Sequence, residues 1–300
     1  MRTAEPGVPK EYVHLRNEET IYVTGWTRLG PDDFSLTARW PAHSGEWRYD
    51  PRMLAQLIRQ SGLVIAHAEY SVPTAHQTLL HDFNYSVEPA FRLPRGRAVD
   101  LDVEVGVSRT RHNGRAALSM DIRVLRDGVL MARADSQFGW ISPAAYRRLR
   151  GEHLTVDWAR WPLPAPLPPE SVGRDAVTDV VLAAGDAGHR WQLRNESANV
   201  LLFDHPVDHV PGLVLIEAAY QAAHAGLAPV VFETTAVTSD FTRYVEFDEP
   251  CWIDAEVVAS AANGTGTGAV GMAPGPLTVL VTGTQGGETA FRIALSGTAR

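Results

Sequence analysis

The chain has 300 residues, of which 45% are hydrophobic and 21% charged. This composition is typical of globular proteins, but the length exceeds that of one ordinary compact domain, so we expect two domains. The formal net charge of −8 argues against a nucleic-acid partner, because binding to a phosphate backbone depends on clustered lysine and arginine side chains.

Cysteine content and hydropathy argue against disulfide-bonded, zinc-binding, membrane-spanning and exported proteins. Cys251 is the only cysteine, which rules out an intrachain disulfide and argues against a thiolate zinc site, and we expect no metal or cofactor. No apolar run approaches the roughly 20 residues that span a bilayer, and the N-terminal MRTAEPGVPK lacks the apolar segment of a signal peptide. The sequence therefore predicts a soluble, cytoplasmic protein with no membrane partner.

In chain order, the sequence predicts an early strand, one apolar helix and several strands, and then the same succession again. The first helix lies in MLAQLIRQSGLVIAH. Its buried face is marked by four residues at i, i+3, i+4 and i+7, namely Leu54, Leu57, Ile58 and Ser61. The segments DLDVEVGVS, AALSMDIRVLR, LTVLVTGTQ and AFRIALSG are typical of strands.

A proline-rich segment, WARWPLPAPLPPES, separates the two halves. Its prolines lack backbone donors and favour extended polyproline geometry over helix or central strand. We predict an N-terminal domain at 1–155, a linker at 156–175 and a C-terminal domain at 176–300.

The two halves resemble each other, which indicates a duplication. At an offset of 161 residues, Gln56 falls on Glu217 and Gln60 falls on Gln221. Two further matches follow in the same order: HDF at 81–83 with SDF at 239–241, and the turn DG at 127–128 with GG at 286–287. One helix and one sheet in each half predict an α+β architecture, and the lack of alternating helices and strands argues against a Rossmann-type sheet.

The second copy contains the motif with the most chemistry, LLFDHPVDHVPGLVLIEAAYQAA. Pro211 is suited to the first turn of a helix, and Gly212 lets another molecule approach the exposed backbone donors there. Those N–H groups and the positive end of the helix would stabilise a thioester carbonyl that develops negative charge. Glu217, in an otherwise apolar segment, is a candidate acid or base; the alternative is that it caps or pairs with a loop group.

Other polar residues of this region are open to two interpretations. Asp208 and His209 precede the helix, where His209 could orient substrate or move a proton, or could only stabilise the loop by a hydrogen bond. Gln221 is a candidate for substrate binding or for polar support of the helix. Cys251, beside Trp252 in an apolar strand, is expected to be buried rather than to act as a nucleophile.

Several motifs resemble known families. The string PGLVLIEAAYQA is similar to the central-helix signature of hot-dog dehydratases that act on acyl-carrier-protein thioesters. A longer resemblance, to the A-factor biosynthesis (AfsA-like) family of actinobacteria, covers nearly the whole chain through VHLRNEETIYVTGW, DDFSLTARWP, DPRMLAQLIRQ, ISPAAYRRLRG, DHVPGLVLIEAAYQAA and RYVEFDEPCWI. It implies a tandem hot-dog fold, in which each half has a curved antiparallel sheet around a central helix.

The same resemblance implies an activity, which is transfer of a β-ketoacyl group from its acyl-carrier-protein or coenzyme A thioester to the primary hydroxyl of dihydroxyacetone phosphate. The ester can then cyclise toward a butenolide phosphate, on the way to γ-butyrolactone or related furan signals. The acyl thioester and dihydroxyacetone phosphate are therefore the expected partners, and a homodimer is left open.

For this reaction we assign three roles as hypotheses. Glu217 is the base for the hydroxyl proton, and the backbone amides near Gly212 stabilise the oxyanion. Arg243, in TRYVEF, binds the phosphate, since its planar guanidinium makes charge-assisted contacts to phosphate oxygens. The alternative for Arg243 is a salt bridge to Glu246 or Asp240.

The chain departs from the family pattern at Gln56, where the resemblance implies an acid. An amide cannot act as a base, although Gln56 can still hold a substrate carbonyl by a hydrogen bond during catalysis. Proton transfer is therefore expected at Glu217. The departure keeps two alternatives open: a dehydratase or thioesterase that uses the same helix, and a non-catalytic regulator that binds acyl ligands.

Overall fold

The chain folds into two compact units, Met1–Arg150 and Gly151–Arg300. The computed structural model describes residues 7–42, 48–157, 160–161, 163–258 and 275–300. The predicted linker falls within the second unit, and its residues 158–159 and 162 lie outside the described residues, as do the first six residues of the N-terminus. The predicted domain limits stay a prediction.

The first unit has one long helix and six described strands. Its helices are α1 (Lys10–Val13), α2 (Pro51–Glu69) and α3 (Pro143–Arg150), with a 3-10 turn at Glu18–Thr20. Its strands are β1 (Val23–Arg28), β2 (Asp33–Trp40), β3 (Gln77–Val87), β4 (Val99–His112), β5 (Arg115–Arg126) and β6 (Val129–Ile141). They pair antiparallel in the order β1-β2-β4-β5-β6-β3, and α2 packs against β1, β2, β4 and β5.

The second unit repeats this arrangement. It has α4 (Gly212–Leu227) and 3-10 turns at Gly151–Leu154, Pro169–Val172 and Val177–Asp179. Its strands are β7 (Leu182–Ala184), β8 (Arg190–Leu193), β9 (Phe232–Phe241), β10 (Cys251–Val258), β11 (Gly275–Gln285) and β12 (Glu288–Ala299). They pair antiparallel in the order β7-β8-β10-β11-β12-β9, with α4 packed against β7 and β9 to β12. The strand order matches that of the first unit, which confirms the predicted duplication and α+β architecture.

The second long helix begins where the sequence predicts, and the first begins two residues before the predicted segment, at Pro51 rather than Met53. Pro51 opens α2, and the carboxylate of Asp50 caps the helix by accepting a hydrogen bond from the backbone of Arg52. The α4 helix begins at Gly212, directly after Pro211. The predicted face of α2 is fully buried at Leu54, Leu57, Ile58 and Ser61. Within the described ranges, no helix is both long enough and apolar enough to cross a membrane.

Both predicted hairpin turns are confirmed. Asp127 and Gly128 join β5 to β6 with φ values of 51° and 76°, and Gly286 and Gly287 join β11 to β12 with φ values of 59° and 80°. Two successive residues with positive φ match the twist of the flanking strands, and glycine adopts this conformation without a steric cost.

A buried glutamine ties the long helix to the start of the first strand. In the first unit, the side-chain oxygen of Gln60 accepts hydrogen bonds from the backbone of Tyr22 at 2.8 Å and Val23 at 3.3 Å. Its nitrogen donates to the carbonyl of Thr20 at 2.7 Å. Gln60 therefore satisfies backbone groups that would otherwise be buried without partners.

Gln221 makes the same connection in the second unit. Its oxygen accepts from the backbone of Val181 at 3.0 Å, and its nitrogen donates to the carbonyl of Asp179 at 2.7 Å. Both backbone partners lie 159 residues after their counterparts in the first unit. These equivalent bonds confirm the predicted pairing of Gln60 with Gln221.

Replacing Gln60 by leucine should destabilise the first unit. The change leaves the backbone groups of Tyr22 and Thr20 without their side-chain partner, at a cost of about 2–5 kcal/mol in the free energy of unfolding. Urea denaturation followed by circular dichroism measures it. The control Gln77→Leu alters an exposed strand residue and should change stability by less than about 0.5 kcal/mol. Equal stability of the two variants would contradict the structural role of Gln60.

Candidate active site

The α4 helix carries Glu217 five residues after its first residue. The helix is built from leucine, valine, isoleucine and alanine and is buried over most of its surface, as its apolar sequence predicts. Glu217 itself is only 1% exposed. A carboxylate in such surroundings is costly unless charged or hydrogen-bonding groups surround it, so its partners determine its chemical state.

Those partners are Arg174 and Gln221. The Nε atom of Arg174 lies 2.6 Å from Oε1 of Glu217, and its Nη2 atom lies 2.6 Å from Oε2. Gln221 adds a third hydrogen bond, from its side-chain nitrogen to Oε1 at 2.5 Å. A two-point contact with a guanidinium stabilises the ionised carboxylate, so Glu217 is held as an anion in a fixed rotamer. The sequence left internal pairing open for Glu217, and the structure has such a pair.

Arg174 was missed from the sequence because it lies in the predicted linker. A signal was present: PKEYV at 9–13 and PPESV at 168–172 share proline, glutamate and valine at the same spacing, 159 residues apart. Both segments form a single helical turn that ends in a left-handed residue, His14 in one and Gly173 in the other. The second copy therefore includes this turn, and Arg174 directly follows it.

His224, on the same helix, lies close to the ion pair. Burial lowers the pKa of His224, and the nearby positive charge of Arg174 lowers it further, while a hydrogen bond with the backbone of Glu170 acts in the opposite direction. The imidazole is therefore neutral at neutral pH. The side chain of His224 is half-buried.

Asp208 and His209 lie at the start of α4. Nδ1 of His209 is 2.9 Å from Oδ1 of Asp208, and its ring is edge-on to Tyr244 at 4.6 Å between centroids. The backbone of Val210 donates to the carbonyl of Val245 at 2.9 Å. The segment that precedes α4 therefore lies beside the chain between β9 and β10, and the His209 side chain is still 30% exposed.

The same loop contains a second pair of this kind, which the sequence reading did not single out. Nδ1 of His205 lies 2.8 Å from Oδ2 of Asp204, and the Asp204 side chain is largely buried. The repeated aspartate-histidine dipeptide in DHPVDH was a signal for it. Two carboxylate-imidazole pairs thus flank Pro206 just before α4.

Arg243 lies in the segment that contacts the start of α4, next to Tyr244. It forms an ion pair with Glu288. The sequence suggested Glu246 or Asp240 as the alternative partner, so the partner differs from both. Both side chains of this pair are more than half exposed to solvent. Surface ion pairs of this kind contribute little stability, so an incoming phosphate can compete with Glu288 for the guanidinium.

Gln56, the counterpart of Glu217, is buried on α2. Its side-chain oxygen accepts a hydrogen bond from Arg59 at 3.4 Å. The first unit therefore has a neutral amide where the second unit has a carboxylate bound to an arginine. Within the described residues, no three His, Cys, Asp or Glu side chains are grouped so as to hold a metal ion.

Comparisons with known proteins agree with this architecture. The family model described as the A-factor biosynthesis hotdog domain matches residues 2–142 and 159–293. A 2-oxo-3-(phosphooxy)propyl 3-oxoalkanoate synthase from Streptomyces virginiae is 42% identical over 264 residues, which cover 86% of this chain and 90% of the relative. A Streptomyces coelicolor protein of the same name is 36% identical over 307 residues, covering 99% and 93%. A match in each half confirms the predicted tandem hot-dog fold.

Solved structures give weaker similarity. The 12:0-ACP thioesterase from Umbellularia californica is 12% identical, with a TM-score of 0.49, and the alignment covers 89% of this chain and 94% of that one.

Cys251 should be inert toward thiol reagents in the folded protein. It is buried at the start of β10, and burial raises the pKa of its thiol to about 12, so the thiolate is scarce at neutral pH. We expect iodoacetamide at about pH 8 to leave the native protein unmodified and to label it fully in guanidinium chloride, as followed by intact-mass spectrometry. Rapid labelling of the native chain would contradict this assignment.

Proposed function

Since this chain belongs to the A-factor biosynthesis hotdog family, we propose that it transfers a 3-oxoacyl group from a thioester to the primary hydroxyl of dihydroxyacetone phosphate. The observation that carries the proposal is the name shared by relatives that align with nearly the whole chain. A 2-oxo-3-(phosphooxy)propyl 3-oxoalkanoate is an ester whose alcohol portion is dihydroxyacetone phosphate and whose acid portion is a 3-oxoalkanoic acid.

The acyl donor in this proposal is a β-ketoacyl thioester of acyl carrier protein or coenzyme A. Its activated carbonyl supplies the driving force for forming an oxygen ester, and the thiol is released. The keto ester can then cyclise by attack of its acidic methylene carbon on the ketone of the glycerol-derived portion, with loss of water, to give a butenolide phosphate. Such a product is a precursor of γ-butyrolactone-type signals.

Glu217 acts as the proton acceptor in this scheme. Its Oε1 atom accepts from both Arg174 and Gln221, whereas among the described residues Oε2 accepts only from Arg174, so Oε2 retains a lone pair for the substrate hydroxyl. The hydroxyl oxygen forms the new bond to the thioester carbon while its proton moves to Oε2. Collapse of the tetrahedral intermediate then breaks the carbon–sulfur bond, and the thiolate takes up a proton.

His209 and the first turn of α4 supply the remaining groups. Paired with Asp208, a protonated His209 can give its proton to the departing thiolate. The backbone N–H groups of Gly212 and Leu213 precede the first hydrogen bond of the helix, in which Val214 donates to the carbonyl of Pro211, and they carry the partial positive charge of the helix. They are suited to stabilise the oxyanion of the intermediate near Gly212.

We assign the binding of the phosphate of dihydroxyacetone phosphate to Arg243. Its guanidinium is exposed, and the next residue in the chain, Tyr244, packs against His209. Gln56, in contrast, is a neutral amide that can neither accept a proton as a base nor donate one as an acid. The first unit therefore contributes at most a hydrogen bond. This division of roles follows from the difference between the two copies at one helix position.

The purified protein should convert a 3-oxoacyl thioester and dihydroxyacetone phosphate into a phosphorylated ester or butenolide, detected by mass spectrometry. Coenzyme A and carrier-protein thioesters are compared as donors. Glu217→Gln should reduce the rate by at least about 100-fold, because the amide cannot accept the proton. Release of free 3-oxo acid alone would instead identify a thioesterase, and tight acyl binding without turnover would identify a ligand-binding regulator.

Arg243→Ala should raise the KM for dihydroxyacetone phosphate by about 10-fold or more and leave the KM for the thioester nearly unchanged, because only the first substrate carries the phosphate in question. Steady-state kinetics with each substrate varied in turn measures this. Arg292→Ala, which removes another exposed arginine of the second unit, is the matched control. Equal increases for both substrates would count against the assignment.

A further inference from the structure

The Arg174–Glu217 ion pair has a neutral counterpart in the first unit. Glu217 corresponds to Gln56, because each lies five residues after the first residue of its helix and four residues before the buried glutamine. Arg174 corresponds to Leu15, because each donates its backbone N–H to the carbonyl of the residue five positions earlier. That residue, Lys10 in one copy and Pro169 in the other, is the first of the helical turn. Both members of the pair therefore differ between the copies.

The neutral version is compatible with the same fold. Leu15 is buried and Gln56 is buried, and the first unit has the same strand order and the same glutamine link as the second. Replacing a buried ion pair by uncharged groups is often neutral or stabilising, because charges lose their hydration when buried. The fold does not by itself require the charges at Arg174 and Glu217.

We infer that Arg174 is a positioning residue of the second unit, which holds the Glu217 carboxylate ionised and aims its Oε2 atom at the acceptor hydroxyl. This inference rests on the proposed function. It also means that two positions, those of Arg174 and Glu217, distinguish the proton-transfer site of the second unit from the first unit. The first unit lacks the carboxylate and has leucine at the position of Arg174; its Gln56 accepts instead from Arg59 of the same helix, at one oxygen and 3.4 Å.

The geometry explains why arginine is suited to this task. The Nε and Nη2 atoms contact different carboxylate oxygens, which fixes the plane of the Glu217 carboxylate as well as its position. The remaining Nη1 atom donates to the carbonyl of Gly173 at 2.9 Å, which anchors the guanidinium to the adjacent backbone. A lysine in its place keeps the charge but presents a single point of contact, so the carboxylate plane is no longer fixed.

The decisive variant gives the second unit the residues of the first, Arg174→Leu with Glu217→Gln. We expect its melting temperature to lie within about 5 °C of the wild type or above it, since the neutral pair removes buried charge. Transfer to dihydroxyacetone phosphate should fall by at least about 100-fold. Differential scanning calorimetry and mass-spectrometric rate measurements give the two results on the same preparation.

The single variant Arg174→Lys separates positioning from a structural role. We expect kcat to fall by about 10-fold to 100-fold, with both KM values within about 3-fold of the wild type, because substrate contacts are unchanged. Arg194→Lys is the matched control: Arg194 is equally buried in the same unit and pairs with Glu196 at 2.6 Å. That control should lower the melting temperature and leave kcat within about 3-fold.

Three results would overturn the inference. They are a double variant that retains transfer within about 10-fold, a double variant that melts more than about 10 °C below the wild type, and equal effects of Arg174→Lys and Arg194→Lys on kcat. Failure of the wild type to transfer from either donor would instead refute the proposed function. The melting comparison would still decide whether the ion pair is retained for stability.

Discussion

The hydrogen bonds from a buried glutamine of the long helix to the start of the first strand are the constraint on which both units depend. Gln60 and Gln221 are both fully buried. Each side chain accepts from a backbone N–H and donates to the backbone carbonyl of the residue two positions earlier in the chain. A helix that packs into a sheet leaves nearby backbone donors and acceptors without water, and one amide side chain satisfies both kinds. This link sets the position of the helix relative to the strands, and with it the position of every residue on the helix.

The second unit extends this link into a charged network. Gln221 also donates to Glu217, which in turn accepts two hydrogen bonds from Arg174. Three donors around one carboxylate make burial of its charge tolerable, since they replace the water it has lost. The structural support of the helix and the candidate proton acceptor are therefore parts of one hydrogen-bond network, whereas Gln60 in the first unit serves the structural purpose alone.

Duplication explains why such a network could arise in one copy. Each unit has its own helix and sheet, and the first has two buried uncharged residues, Leu15 and Gln56, at the equivalent positions. The buried charges, which carry a desolvation cost, are then confined to the unit in which we propose that proton transfer takes place. The loop before α4 adds His209 and Asp208 at the positive end of the same helix, so proton transfer and oxyanion stabilisation are assigned to one segment of chain.

The sequence by itself determined the duplication, the start of α4 at Gly212, both hairpin turns and the correspondence of Gln56 with Glu217, because these depend on local propensities and on spacing along the chain. It also carried the family resemblance, through motifs in a recognisable order. Only the tertiary structure identified the partners of Glu217 and Arg243, since Arg174 is 43 residues from Glu217 and Glu288 lies at the start of β12, far along the chain from Arg243. Ion pairs between residues far apart in the chain depend on how the backbone brings them together in space, and a proline-rich segment gave Arg174 the local character of a linker while the fold placed it against the helix.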